Sequence, residues 1–182
     1  MNTTLVNPES MSTGLLLARV VVGLVMAAHG AQKLFGWFGG YGLNKTGEFF
    51  VHLGFRPGRA FATIASLTEI TSGLLIALGL LGPVGSALMI SVMIVAAMTV
   101  HWEHGLFAAN NGIEVPLLYA TAAVGFALAG FGQYSLDAWL GIGGFWTTPV
   151  TWAVLAGGVL GGILNLSIRH REVASTHVNQ TR

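Results

Sequence analysis

Residues 60–80 read AFATIASLTEITSGLLIALGL, an apolar run with a single ionisable side chain, Glu69, near its middle. A helix needs about 20 such residues to cross the hydrocarbon core of a bilayer. Four more stretches of this kind flank it, at about Leu15–Phe35, Val84–Val100, Val115–Phe131 and Val150–Ile168. All five are continuous and lack the alternation of a transmembrane β-barrel strand. The fold class is therefore an all-α membrane protein: a four-helix transmembrane bundle plus a fifth C-terminal transmembrane helix.

Composition leads to the same place. The chain has 182 residues, 53% of them hydrophobic and only 8% charged, against about 25% charged in soluble domains. Such a chain cannot cover itself with a soluble surface, so the bilayer is its first partner and a cell membrane (the inner membrane) its location, crossed several times. The net charge of +1 provides no field for nucleic acid. The absence of cysteine excludes disulfides, thiol redox chemistry and thiolate-bound metals. Met1–Ser12 has no Lys or Arg, so the first span reads as a retained helix rather than a signal peptide. The expected organisation is a tail over 1–14, a four-helix core over 15–140, a fifth helix over 149–169 and a tail over 170–182.

Breakers fall between the spans. Gly36, Gly39, Gly40 and Gly42 follow the first, Gly82-Pro83 divides the second from the third, and Asn110-Asn111-Gly112 precedes the fourth. The longest connection holds Phe49, Phe50 and Leu53 at helical spacing, which predicts a short interfacial helix over Asn44–Leu53. Trp37, Tyr41, Trp102, Trp139, Trp146 and Trp152 sit near span ends, where interfacial belts favour such rings. Gly157, Gly158, Gly161 and Gly162 form two overlapping small-xxx-small registers, and the Gly157/Gly161 face is a candidate homo-oligomer contact. Lys45, Arg56 and Arg59 lie in the first connection and Arg169, Arg171 and Arg182 in the C-terminal tail. With five spans these share one side, which the positive-inside tendency makes cytoplasmic.

Ionisable groups in lipid are costly and call for a partner or a role. Arg19 and Lys33 lie toward opposite ends of the first span and can snorkel, whereas His29 lies deeper, one turn from Lys33. Glu69 must pair, be protonated or face a polar cavity, and His29 or Lys33 is its natural partner. His101 and His104 end the third span and share a face if the helix continues. Two histidines without a third ligand assign no metal, and a polar helix end facing headgroups is the plainer reading. Glu114 opens the fourth span, where an acid also favours a helix N-terminus. Alternating topology puts Lys33, His101, His104 and Glu114 at one membrane face, with His29 and Glu69 pointing inward from it and Asp137 on the opposite side.

The run from Arg19 through His29-Gly30-Ala31-Gln32-Lys33-Leu34-Phe35-Gly36 resembles the first-helix motif of the DoxX family. Glu69-Ile70-Thr71-Ser72-Gly73 resembles its second helix, His101 through Gly112-Ile113-Glu114 its next connection, and Tyr134-Ser135-Leu136-Asp137 its closing segment. The resemblance covers about Thr13 to Leu140. It implies a four-helix membrane core related to the DoxD subunit of thiosulfate:quinone oxidoreductases, with some relatives tied to redox-defence complexes. The span Val150–Ile168 extends past that core.

The leading expectation is a membrane subunit of a quinone-linked or redox-defence oxidoreductase system, with quinone as the cofactor and redox proteins as partners. Glu69, His29 and Lys33 are the candidate catalytic groups, and His29, Lys33, Glu114, His101 and His104 the candidate cofactor-binding groups. With no nucleotide or haem motif, electrons need an outside donor. A small ion or solute transporter and a non-catalytic anchor for a partner complex are the alternatives.

Overall fold

The computed structural model describes residues 7–170. The tail over 171–182, with Arg171 and Arg182, and residues 1–6 lie outside the described residues. The first helix, α1, spans Pro8–Phe35 and starts inside the expected 1–14 tail. The Asn7 side chain accepts from the Glu9 amide at 2.9 Å, and Pro8 stands at the first helical position. Both are ordinary initiators, which moves the start seven residues ahead of the apolar run. Gly36, in the left-handed region at φ 75°, ends the helix.

The interfacial helix α2 runs Gly42–His52, α3 runs Gly58–Leu78, and a tight turn leads to α4 at Pro83–Ala96. Beyond Ala96 the helix widens into a π-turn over Ala97–His101 and tightens into a 3-10 turn over Trp102–His104. At this change the Thr99 hydroxyl donates to the Val95 carbonyl at 2.8 Å. The condition that put His101 and His104 on one α-helical face therefore fails. Then come α5 (Glu114–Ala129), the short α6 (Leu136–Trp139) and α7 (Thr148–Ser167).

Among the described residues four helices are long and apolar enough to cross a membrane: α1, α3, α4 with its continuation, and α7. The 16-residue α5 is shorter yet links the same two ends. Its start is tied to Leu106 and Ala108 beside the end of α4. The segment after it is tied through Asp137 to the turn at Leu81 and Gly82.

Polarity is inverted relative to a soluble domain. Leu17, Leu118, Leu160 and Leu164 are exposed, while Arg19, Ser66, Glu69, Ser72 and Asp137 are buried. Met26, Ile76, Met89, Met93, Phe126 and Leu155 form the centre of the apolar core. Backbones meet where side chains vanish. A methyl group on Gly23 would stand 2.6 Å from the Ala77 amide nitrogen and closer still to the Gly73 carbonyl, and one on Gly73 would meet the Gly23 carbonyl in return. Gly30 abuts Ser66 and Ile70, so α1 lies directly against α3. Gly158 and Gly162 press on Ala87, Ser91 and Ile94 of α4, whereas Gly157 has open space around it. The internal packing of α7 thus uses the 158/162 register.

Gly23→Ala and Gly73→Ala should each destabilise the bundle by about 1–3 kcal/mol through overpacking. Gly157→Ala should leave it within about 0.5 kcal/mol. Unfolding midpoints in detergent check this, and equal loss at all three positions would contradict the packing described.

Candidate functional site

The α1–α3 contact sets Lys33, near the end of α1, against Glu69 in α3. Lys33 Nζ donates to Glu69 Oε1 in an ion pair that the surrounding helices enclose. The Glu69 side chain is 2% exposed and that of Lys33 34%. Nothing on the carboxylate's own helix solvates it, because the Ser66 hydroxyl donates to the Ala62 carbonyl at 2.6 Å and Ser72 to the Glu69 carbonyl at 3.1 Å. Glu69 Oε2 is consequently buried with no hydrogen-bond partner among the described residues. Buried polar atoms without partners are uncommon and costly.

The pair stands in the wall of a cavity of about 710 Å³ between α2, α3 and α4. The fold of α2 shapes this space. Its Thr46 hydroxyl donates to the Gly42 carbonyl at 2.8 Å and reaches the Lys33 carbonyl at 3.3 Å, which fixes the helix over the end of α1. Phe49, Phe50 and Phe55 line the cavity together with Val92 and Val95. Phe50 and Phe55 of this wall stand with ring centroids 5.7 Å apart, and Phe61 backs Phe55 at 5.2 Å.

His101 joins the lining from the π-turn of α4. Its Nδ1 lies 2.7 Å from the Asn111 carbonyl oxygen. A carbonyl only accepts, so Nδ1 carries the proton and Nε2 is the nitrogen left for exchange.

The other expected members are placed elsewhere. His29 packs edge-on against Tyr119 at a centroid distance of 6.0 Å and an angle of 84°, and no hydrogen bond or ion pair joins it to Glu69. Of the two partners foreseen for Glu69, Lys33 is the one that reaches it. Glu114 turns to its own loop: Oε2 accepts from the Ala108 amide at 2.7 Å, and its amide donates to the Leu106 carbonyl at 2.8 Å. His104 is exposed on the 3-10 turn and outside the cavity lining. The described residues contain no group of three or more His, Asp or Glu side chains able to hold a metal ion.

Arg19 does not snorkel. Only 1% exposed, its guanidinium donates to the Ala77 carbonyl and, at 2.6 Å, to the Tyr134 carbonyl. At the end of α3 the Leu75 and Ile76 carbonyls accept from the Leu80 and Gly79 amides, and the buried cation supplies a donor to Ala77. On the same side, Asp137 accepts from the amides of Leu81 at 2.7 Å and Gly82 at 2.6 Å, which holds the α3–α4 turn. These two charges serve the fold. Tyr119, beside His29 and within electrostatic reach of Glu69, is a member that sequence reasoning missed. A lone tyrosine inside an otherwise apolar span is the signal that could have found it.

The family model of DoxX matches residues 14–102, from the first turns of α1 to the end of α4. The matched segment contains Arg19, His29, Lys33, Glu69 and His101. No curated protein and no solved structure gives a significant match.

Breaking the ion pair from one side strands a buried charge. Lys33→Met should lower stability by about 1–3 kcal/mol, below the full cost of a buried pair because Lys33 is partly exposed. The double variant Lys33→Met with Glu69→Leu should regain most of that loss. A double-mutant cycle on unfolding midpoints reads the coupling, and strict additivity would disprove it.

Proposed function

We propose that this member of the DoxX family is an integral membrane subunit of a quinone-linked redox system, with the Glu69 cavity receiving the quinone headgroup. The observation that carries the reading is the second oxygen of Glu69: buried, without a partner among the described residues, in the wall of a cavity that combines Phe49, Phe50, Phe55, Val92 and Val95 with the polar side chains of Lys45, Glu48 and His101. A quinone is a flat apolar ring with a carbonyl at each end. Phe49, Phe50, Phe55, Val92 and Val95 suit the ring, and Lys33 and His101 suit the carbonyls. The residues present therefore fit the group. A bound quinone supplies two-electron acceptor chemistry that no side chain of this chain possesses, and a partner protein supplies the electrons.

The work left to this chain is binding and proton handling. Lys33 Nζ is a hydrogen-bond donor and a fixed positive charge against oxygen atoms that gain electron density. Glu69 and Glu48 are the two carboxylates in the cavity lining, and Glu69 is the one paired with Lys33. While it is ionised, Lys33 holds it; once it is protonated, the ammonium is released to bond elsewhere. His101, with Nδ1 committed to Asn111, exchanges protons through Nε2 alone. Tyr119 lies within electrostatic reach of Glu69, and His29 packs against that ring. The basic residues Lys45, Arg56, Arg59 and Arg169 share the cavity's end of the bundle. In this reading that end, with the C-terminus, is cytoplasmic.

Titration of a soluble short-chain ubiquinone analogue into the detergent-purified protein, followed calorimetrically, tests the site. Glu69→Gln and Lys33→Gln should each weaken binding about tenfold, or 1.4 kcal/mol. Unchanged affinity in both variants would remove the quinone reading. Solute flux in proteoliposomes without any redox partner would replace it with transport. A reporter fused to the C-terminus should be active only in the cytoplasm, and activity only outside would reverse the orientation.

A further inference from the structure

A second recess lies at the same end of the bundle, on the outer side of α2. Its volume is about 1080 Å³, and it is framed by the end of α2, the α2–α3 turn, the last turns of α4 and the end of α7. The end of α7 is docked there: the His170 amide donates to the Gly54 carbonyl at 2.9 Å, and Arg169 Nε donates to the Leu53 carbonyl. Gly54, at φ +92°, has no room for a side chain because the His170 carbonyl occupies that space. The docking brings Arg169 and His170 beside His52 and Arg56, so four basic side chains from two distant parts of the chain line one recess. Glu103 is the one acid among the lining residues. Met98 and Trp102 complete it, 46% and 60% exposed, on the outer surface of a helix that crosses lipid.

We infer that this recess binds an anionic phospholipid, its phosphate at Arg56 and Arg169 and its glycerol and upper acyl chains along Met98 and Trp102. The argument is one of paired chemistry. Guanidinium groups are the preferred partners of phosphate oxygens. Arg169 is anchored through Nε, which fixes its plane and leaves its terminal amino groups without a partner among the described residues. A soluble anion has no use for the exposed indole and thioether beside the cations, whereas a lipid needs both a cationic and an apolar surface at the interface. Basic recesses between membrane helices are suited to such headgroups. The site is separate from the Glu69 cavity, shares only Leu53 with it, and does not depend on the quinone reading.

Native mass spectrometry of the full chain, delipidated and then exposed to equal amounts of phosphatidylglycerol and phosphatidylcholine, tests the assignment. Wild type should retain phosphatidylglycerol at least fivefold over phosphatidylcholine. Arg56→Gln, which leaves the Arg169–Leu53 bond in place, should cut that preference by more than half, and Arg56→Gln with Arg169→Gln should abolish it. Arg169→Lys should keep part of it by keeping the charge. Equal retention of the two lipids by wild type, or an undiminished preference in the double variant, would overturn the proposal. Release of phosphatidylglycerol by millimolar inorganic phosphate would also overturn it, in favour of a site for a soluble anion.

Discussion

The backbone approach of α1 to α3 at Gly23, Gly30 and Gly73 is the contact on which the rest depends. With side chains absent at those positions, the two helices lie close enough for their polar groups to meet. Lys33 then reaches Glu69 near one end, and Arg19 reaches the last carbonyls of α3 near the other. Neither interaction survives a wider separation, because each would leave a charge facing hydrocarbon. The small residues are therefore as much a condition of the chemistry as of the packing.

The two ends of this helix pair use their charges differently. At the Arg19 end every interaction is with backbone: carbonyls for the guanidinium, amides for Asp137. Such bonds satisfy helix termini that lipid cannot, although Asp137 also lines a recess of about 370 Å³ and Arg19 Nε has no partner among the described residues. At the Lys33 end the bond is between side chains, and one carboxylate oxygen has no partner among the described residues. The proposed quinone site rests on that oxygen and on the space beside it.

The spans were readable in the sequence because hydropathy and length decide them. Ala60–Leu80 became Gly58–Leu78, and the glycines after Phe35 ended α1 as expected. The Lys33–Glu69 pair was one of two options that helix spacing allowed. Other roles were hidden, because spacing along one helix does not say what the next helix offers. Arg19 looked like a snorkelling cation, since nothing in its own neighbourhood reveals the Ala77 carbonyl at the end of α3. Glu114 looked like a pocket acid, but the loop amide of Ala108 claims it. His101 and His104 stand where α4 gives way to a π-turn and then a 3-10 turn, a change that the apolar run alone does not announce. Gly157 and Gly158 stood in equivalent small-residue registers, and only the placement of α4 chose between them.

The helices are unequal in length, and that has a consequence for the surrounding lipid. At 1.5 Å per residue, α1 is about 42 Å long and α5 about 24 Å, against a hydrocarbon thickness near 30 Å. The bilayer cannot match both. Beside α5, whose Leu117, Leu118 and Leu128 are exposed, acyl chains must shorten or splay, while α1, whose apolar run Leu15–Phe35 is about 32 Å long, carries its polar first turns beyond the hydrocarbon. The protein therefore carries a built-in elastic strain in its annulus of lipid, lowest in thin membranes and relieved wherever another subunit replaces lipid along the short helix.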